Sequence, residues 1–372
     1  QKQPFQTNMS STENQQVVSP SIEEEDEACA YAMQLSLSHI LHMVLNAAVE
    51  LELFDIIAQA GSGAHISSSE IVSQLPARNP DAPSVLDRML CLLASYSLLT
   101  CSLRTHQDGT VERLYGLAPA GKFFVKNQGG RSLASMLPFT CYQPTWNAWF
   151  HLKDAILEDG NLFNKVCGMH VFQFMNADPT FNSLFNRSMA DISNITMKKL
   201  LETYKGFEGL ASLVDVAGGT GTSVNMIISM YPSIKGINFD LPHVIQSAPS
   251  YPGIEHVGGD MFVSIPKAEA IMVKNICHNW NDEQCLKLLN NCYEALPKKG
   301  KVIIIDAVMP LAPEPSSTVA KYASLLDISM LNTDNGKERT EREFEALCNG
   351  AGFSDFKIMC SAHAFWVMEF HK

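Results

Sequence analysis

Two groups of residues in this chain have types and spacings that suit chemistry. The segment VKNICHNWND at 273–282 changes from apolar to polar at His278, which predicts a strand that ends on this histidine. The segment LVDVAGGTGTS at 213–223 is an apolar run followed by glycines, and Asp240 and Asp260 follow the next two apolar runs. A neutral histidine can remove a proton from a hydroxyl group, and glycines let the backbone approach a ligand closely. Together they predict a base beside a bound cofactor.

The glycine turn distinguishes two cofactor classes. A dinucleotide site needs Gly-x-Gly-x-x-Gly, but counting from Gly219 the third glycine is replaced by Val224. The acidic-x-Gly-x-Gly-x-Gly pattern of S-adenosylmethionine sites fits better, since Asp215, Gly219 and Gly221 are in place. Ala217 stands where the first glycine is expected. An NAD-dependent oxidoreductase is therefore the distant alternative.

Two further acidic residues extend the predicted adenosine site. Asp240 can accept hydrogen bonds from both ribose hydroxyls, and Asp260 with Met261 stands where an adenine amino group and a ring-packing side chain belong. Glycine loops are often only turns, and strand-end aspartates often cap helices. Because ligands bind parallel sheets at the carboxyl ends of the strands, such residues at three consecutive strand ends favour an adenosine-type cofactor.

Length and composition limit the protein class. The 372 residues are 46% hydrophobic, which is enough for a large core and more than one domain. A net charge of −12 argues against a nucleic-acid partner, and the lack of an 18-residue apolar run argues against a membrane span. Ten cysteines without a CxxC pair favour free thiols in a reducing, cytoplasmic compartment. No HExxH motif or carboxylate cluster predicts a catalytic metal.

The first third of the chain has the plan of a winged-helix module. Residues 1–20 are polar and patternless, which predicts a disordered tail. Over 21–125 the pattern predicts a long helix ended by Gly61, two shorter helices, and a hairpin that turns at Asp108-Gly109. Winged helices often bind DNA, but the candidate recognition helix at 83–97 carries a single basic residue. A dimerisation domain is therefore favoured.

Residues 126–372 form a second predicted domain. It begins with helices rich in aromatic residues, and from residue 211 strands alternate with helices, which predicts an α/β fold with a doubly wound, mostly parallel sheet. One helix carries an apolar stripe that, on spacing alone, fits a core face better than a ligand wall. The stripe consists of Phe181, Phe185, Met189 and Ile192.

Three long motifs resemble plant caffeic acid-type O-methyltransferases, and the similarity extends over about 22–372. They are LVDVAGGTGTSVNMIISMYPSIKGINFDLPHVI at 213–245, SYPGIEHVGGDMFVSIPKAEA at 250–270 and GKERTEREFEAL at 336–347. The resemblance implies metal-independent methyl transfer from S-adenosylmethionine to a phenylpropanoid hydroxyl. It also implies a seven-stranded, Rossmann-like class I methyltransferase domain. The N-terminal domain would form a homodimer and contribute to the partner's acceptor pocket.

The same resemblance assigns roles to individual residues. His278 would be the general base, oriented by Asp306 and Glu338. The alternatives are a structural histidine and plain surface or capping carboxylates. Asp306 is one methylene shorter than the family's glutamate, so a longer contact with His278 is expected. Ala217 replaces a glycine and should be tolerated if its φ is negative. The implied cofactor contacts are Ser193, Asp215, Ala217, Gly218, Gly219, Asp240, Leu241, Asp260, Met261 and Lys274.

The implied acceptor pocket departs from the family pattern. Asn279 replaces an aspartate, Ile192 a histidine and Ser329 an apolar residue. We therefore expect an uncharged monolignol, phenylpropene or lignan-like phenol rather than a free hydroxycinnamate, with a terminal aliphatic hydroxyl, as in coniferyl alcohol, as the alternative. The expected pocket wall consists of Phe139, Thr140, Thr145, Val171, Phe172, Phe181, Phe185, Met189, Ile192, Asn279, Leu326, Ser329 and Met330.

Overall fold

The computed structural model describes residues 22–126, 132–158, 160–333 and 335–372. The predicted tail at 1–20 lies outside these residues. The N-terminal part contains five helices and three strands: α1 (Ile22–Ser36), α2 (Ser38–Glu50), α3 (Leu53–Gln59), β1 (Ile66–Ser67), α4 (Ser68–Val72), α5 (Ala82–Ser95), β2 (Leu99–Thr105) and β3 (Val111–Leu117).

The strands of the N-terminal part form an antiparallel sheet in the order β1–β3–β2. Thr105 pairs with Val111, so the hairpin turns at Asp108 and Gly109 as predicted. Helices and sheet share one core, in which Phe54, Leu90 and Tyr115 are fully buried.

The prediction of one long helix before Gly61 is wrong. The chain breaks at Leu37, where α1 and α2 meet at an angle of 51°, and again at Glu52, which has φ +54°. The second break turns the apolar face of α3 into the core, where Phe54 stacks on Phe124 at 5.2 Å. In the described part of the chain no single helix has the length and apolar content of a membrane span, and α1 and α2 reach them only as a bent pair.

Six α-helices of the described residues lie between the N-terminal three-stranded sheet and the seven-stranded sheet in the chain. Asp178 begins the longest helix by accepting hydrogen bonds from the backbone N–H groups of Thr180 and Phe181. These helices are α6 (Met136–Thr140), α7 (Gln143–Ala148), α8 (Asp154–Leu157), α9 (Leu162–Cys167), α10 (Val171–Ala177) and α11 (Pro179–Thr203).

The C-terminal part is the predicted doubly wound domain. Its main sheet has seven strands in the order β11–β12–β8–β7–β4–β5–β6, antiparallel only where β12 pairs with β11 and β8. The elements are β4 (Ser212–Val216), α12 (Thr222–Met230), β5 (Lys235–Asp240), α13 (Pro242–Ile245), β6 (Ile254–Gly258), β7 (Ala270–Lys274), α14 (Asp282–Ala295), β8 (Lys301–Asp306), β9 (Val308–Met309), α15 (Thr318–Ser329), β10 (Arg339–Thr340), α16 (Glu341–Gly350), β11 (Asp355–Ala362) and β12 (Phe365–His371).

The strand order places the polar residues of the site at one edge. The central strands are apolar on both faces, as a sheet covered by helices on both sides requires. The chain runs outward from β4 in both directions, so β4 lies between β5 and β7, the arrangement at which such sheets bind ligands. The carboxyl ends of β5, β7 and β8 carry Asp240, Lys274 and Asp306.

Candidate active site

The turn between β4 and α12 has no room for a side chain at residue 218. A Cβ atom on Gly218 would lie 2.3 Å from Asn238 Oδ1 and 2.8 Å from Asp215 Oδ2. Gly219 has φ +59°, and its N–H donates a hydrogen bond of 2.8 Å to Asp240 Oδ2. Asn238 Nδ2 donates to the carbonyl of Gly219 at 2.9 Å. The glycines therefore allow the backbone to pack directly against the polar ends of β4 and β5.

Ala217 was expected to be tolerated if its φ were negative, and this condition is not met. Its φ is +53°, not negative. A side chain in the left-handed region costs roughly 1–2 kcal/mol, because Cβ crowds the following carbonyl. The turn thus has the left-handed backbone conformation that favours glycine, although the residue is alanine. The substitution therefore introduces strain at the predicted cofactor site.

A half-buried lysine links the cofactor strand to the strand of Asp306. Lys274 Nζ donates to Ser193 Oγ at 2.8 Å. Burial lowers the pKa of Lys274, while the charges of Asp215 and Asp306 oppose that change. Burial also raises the pKa of Asp215 to about 7, which Lys274 opposes. Since β7 lies between β4 and β8, one ammonium group serves both carboxylates.

Asp240 and Asp260 occupy different environments. Burial raises the pKa of Asp240, while the N–H groups of Leu241 and Gly219 oppose the rise. Asp260 is exposed and accepts a hydrogen bond of 2.8 Å from the N–H of Phe262. The exposed Leu241 and the half-buried Met261 stand at the same two strand ends. The predicted cofactor residues therefore line the carboxyl edge of β4, β5, β6 and β7.

His278 is buried, but it does not end a strand as predicted. β7 stops at Lys274, Asn275 turns the chain with φ +54°, and His278 lies in a 3₁₀ turn at Cys277–Asn279. Its Nδ1 atom is 2.7 Å from Glu338 Oε1. Burial lowers the pKa of His278, but the hydrogen bond with Glu338 and the charges of Glu338 and Asp306 raise it more, so the pKa is raised overall.

Asp306 approaches His278 without a hydrogen bond to it. It is fully buried, and neither carboxylate oxygen has a hydrogen-bond partner among the described residues. Burial raises the pKa of Asp306, and the charge of His278 lowers it. The two carboxylates therefore differ: Glu338 orients the imidazole by direct contact, and Asp306 acts on it through space, in line with its shorter side chain.

Aromatic rings form one part of the expected pocket wall. Phe139 packs against Phe185 at 5.6 Å, and Phe172 stacks on Trp280, two residues after His278, at 6.0 Å. Phe181 differs, because it is 1% exposed and surrounded by aromatic rings. A core position describes Phe181 better than a pocket wall. The other expected members are half-buried, apart from the buried Met330: Thr140, Thr145, Val171, Met189, Ile192, Asn279, Leu326 and Ser329.

Asn279 contacts its own loop. Its Nδ2 group donates a hydrogen bond of 3.2 Å to the carbonyl of Asn275. An ionised aspartate has no donor and would face that carbonyl with negative charge. Asparagine therefore stabilises the tight backbone of residues 275–279.

Comparison with known proteins identifies the family. An O-methyltransferase domain model matches residues 149–354, and an O-methyltransferase dimerisation domain model matches residues 33–127. The chain belongs to the O-methyltransferase family. It is 56% identical to caffeic acid 3-O-methyltransferase of Medicago sativa over 98% of this chain and 100% of that protein. It is 58% identical to the Prunus dulcis protein of the same name, over 95% and 97%.

Solved structures support the fold of this O-methyltransferase. Human N-acetylserotonin methyltransferase in complex with SAM matches with a TM-score of 0.77 at 21% identity, covering 93% of this chain and 98% of that chain. The SAH-bound form of CalO1 has the same TM-score at 20% identity, covering 94% and 99%. The family assignment confirms the resemblance found in the motifs and rules out the NAD-dependent oxidoreductase.

Sequence reasoning missed several residues that build the site. Trp280 stacks on Phe172, Asn238 supports the glycine turn, and Arg339 contacts the backbone around His278. Arg339 lies within the GKERT segment and directly follows Glu338. For Asn238, the available signal was a polar residue between apolar neighbours within a buried strand.

The strain at Ala217 leads to a test of stability. Ala217→Gly should raise the free energy of unfolding by about 0.5–1 kcal/mol, because relief of the left-handed strain exceeds the added freedom of the unfolded chain. Chemical denaturation of both proteins measures the difference. Ala346→Gly, at an exposed position within α16, is the control and should lower stability by about 1 kcal/mol. An equal decrease in the free energy of unfolding in both variants would contradict the backbone strain at Ala217.

Proposed function

We propose that this O-methyltransferase transfers the methyl group of S-adenosylmethionine to a hydroxyl of a phenylpropanoid, with His278 as the general base. The observation that carries the proposal is the buried His278 imidazole, held at Nδ1 by Glu338. It stands at the same sheet edge as the glycine turn and Asp240. The names of the relatives at 56% and 58% identity support the acceptor class.

The residues at the sheet edge fit the cofactor. Asp215 Oδ2 is buried without a hydrogen-bond partner among the described residues, and Gly218 has no space for a side chain. This combination suits a cationic ligand group lying against the backbone of the turn. Asp240 would hold the ribose, while Asp260 and Met261 would hold the adenine. S-adenosylmethionine supplies an activated sulfonium methyl group when bound.

The protein's own contribution is the removal of a proton and the alignment of the acceptor. A phenol has a pKa near 10, so its hydroxyl is a poor nucleophile at neutral pH. His278 accepts that proton at Nε2, because Glu338 occupies Nδ1. Glu338 and Asp306 then stabilise the resulting imidazolium charge. Aromatic rings such as Phe172 and Trp280 hold the acceptor ring and exclude water.

The acceptor is proposed to be uncharged. Ile192 packs against an apolar cluster and offers no partner to a carboxylate. Asn279 is neutral and donates into its own loop. A monolignol, a phenylpropene or a lignan-like phenol matches this wall better than a hydroxycinnamate does. A terminal aliphatic hydroxyl is the second candidate, although its higher pKa would demand closer alignment with His278.

His278→Ala tests the general base. Methyl transfer from labelled S-adenosylmethionine should fall by about 10²–10⁴-fold, with little change in cofactor affinity. In the unmodified enzyme, kcat should rise with pH through a pKa above the ordinary value of about 6.5, because the base must be neutral and its pKa is raised. Calorimetric titration of the cofactor is the control. A variant that keeps most of its activity would remove His278 from this role.

A panel of acceptors tests the pocket. Caffeoyl alcohol, coniferyl alcohol and eugenol should each have kcat/KM about tenfold or more above that of caffeic acid, a difference of about 1.4 kcal/mol. Mass spectrometry of the products locates the methyl group and separates phenolic from aliphatic methylation. Ile192→His should raise turnover of caffeic acid, whereas Ile192→Leu, the matched apolar control, should not. Caffeic acid as the preferred acceptor would contradict an uncharged pocket.

We also propose a homodimer built through the N-terminal domain at 21–125, with the methyltransferase domain at 126–372. The dimerisation family model supports this partner. So does the surface of α1 and α2, on which Tyr31, Met33 and Leu37 are each more than half exposed. A second copy would remove these side chains from water.

Sedimentation equilibrium tests the homodimer. The mass should be twice the 41.0 kDa of one chain. Leu37→Asp should shift the protein toward monomer, because a charge would be buried in the interface. Leu311→Asp, at another exposed apolar position outside the N-terminal domain, is the control and should remain dimeric. A monomeric parent protein at micromolar concentration would refute the assembly.

A further inference from the structure

The guanidinium group of Arg339 is fully buried beside the turn that carries His278. Its Nη1 atom donates to the carbonyl of Cys277 at 2.6 Å, and Nη2 donates to the carbonyl of Trp280 at 2.8 Å. Nε and Nη2 also donate to Asp282 Oδ1, at 2.9 and 2.8 Å. Burying an unpaired cation is costly, so this set of acceptors accounts for the position of Arg339.

The two carbonyl acceptors bracket His278. Cys277 immediately precedes the histidine, and Trp280 follows it by two residues. The intervening 3₁₀ turn has two backbone hydrogen bonds of its own, from Asn279 N–H to the carbonyl of Ile276 at 3.0 Å and from Trp280 N–H to the carbonyl of Cys277 at 3.3 Å. A planar guanidinium with donors in fixed directions suits the task of holding two carbonyls at a set separation, which a lysine ammonium would do less well.

The same short segment contacts His278 from two other directions. A Cβ atom on Gly336 would lie 2.2 Å from the carbonyl oxygen of His278, so the two backbones pack directly. Glu338 reaches the imidazole at Nδ1. Residues 336–339 thus touch the backbone on both sides of the histidine and its ring.

The charge of Arg339 is balanced at the surface. Asp282 stands in the first turn of α14, and its side chain is 55% exposed while that of Arg339 is 0% exposed. Lys337 Nζ approaches the other Asp282 oxygen at 3.5 Å. The ion pair therefore connects the buried turn to the start of α14.

We propose that Arg339 is a positioning residue for methyl transfer, which clamps the 277–280 turn so that Nδ1 of His278 meets Glu338 and Nε2 is directed at the acceptor hydroxyl. This inference rests on the proposed role of His278 as the base. A displacement of about 1 Å at a reacting group can reduce turnover about 10²-fold, so a clamp on the backbone affects kcat rather than cofactor binding.

Arg339→Lys is the principal test, because it keeps the charge and removes the two-carbonyl fork. We expect kcat to fall by about 10–100-fold, with KM for the acceptor and Kd for S-adenosylmethionine within about twofold of the parent values. Asp282→Ala, at a half-exposed position, should fold normally and lower kcat by about fivefold, since it loosens Arg339 without removing it. Arg342→Lys, on the exposed side of α16, should leave kcat unchanged.

The pH dependence of kcat separates positioning from general damage. The groups that act on His278 are Glu338 and Asp306, and Lys274 and Arg339 in turn act on Asp306. In Arg339→Lys the positive charge remains, so a weaker contact between His278 and Glu338 should move the acid limb of kcat to lower pH. An NMR titration of the His278 imidazole measures the same shift without turnover.

Two results would overturn the inference. One is a parent-like kcat and acid limb in both Arg339→Lys and Asp282→Ala. The other is a loss of S-adenosylmethionine affinity as large as the loss of kcat, which would indicate collapse of the whole site. If His278→Ala abolishes activity while the Arg339 and Asp282 variants are unaffected, only the positioning role fails. If His278→Ala remains active, the proposed base and the role of Arg339 both fail.

Discussion

The site depends on one half-buried lysine in the middle of the sheet's carboxyl edge. Lys274 ends β7, and β7 lies between β4, which carries Asp215, and β8, which carries Asp306. Burial alone favours the protonated form of each of these carboxylates and raises the pKa of each. The lysine offsets both, and Ser193 fixes its position from α11. The cofactor turn and the carboxylate behind His278 are therefore electrostatically connected, although they belong to different strands.

Sharp backbone turns follow both central strands at this edge. Ala217 follows β4 with φ +53°, and Asn275 follows β7 with φ +54°. The first turn sends the chain beneath the proposed cofactor into α12, and the second brings His278 back over the same edge. Asn275 is among the residue types that tolerate this conformation, whereas alanine is not. The two turns let neighbouring parallel strands present a binding surface and a base side by side.

The segment Gly336–Arg339 provides the remaining constraint on the histidine. It combines close backbone packing, a carboxylate on the ring and a guanidinium on the flanking carbonyls. The segment continues into α16, which begins with a capping box formed by Thr340 and Glu343. A rigid helix start thus supports the residues that hold the base. Their sequence distance from His278, about sixty residues, is bridged by the parallel pairing of β9 with β10 beside the main sheet.

Local patterns in the sequence determined the order of the elements, the doubly wound sheet, the glycine turn and the placement of Asp240, Asp260 and His278 near one edge. They did so because periodicity and strand ends are properties of neighbouring residues. Only the tertiary structure decided that Glu338 contacts the imidazole while Asp306 does not, and that Arg339 brackets the turn. It also decided the sign of φ at Ala217 and the breaks at Leu37 and Glu52. Contacts between residues sixty positions apart depend on strand order and on the length of the side chains. The sign of φ at a residue depends on how its turn packs. Residue spacing along the chain specifies neither of these.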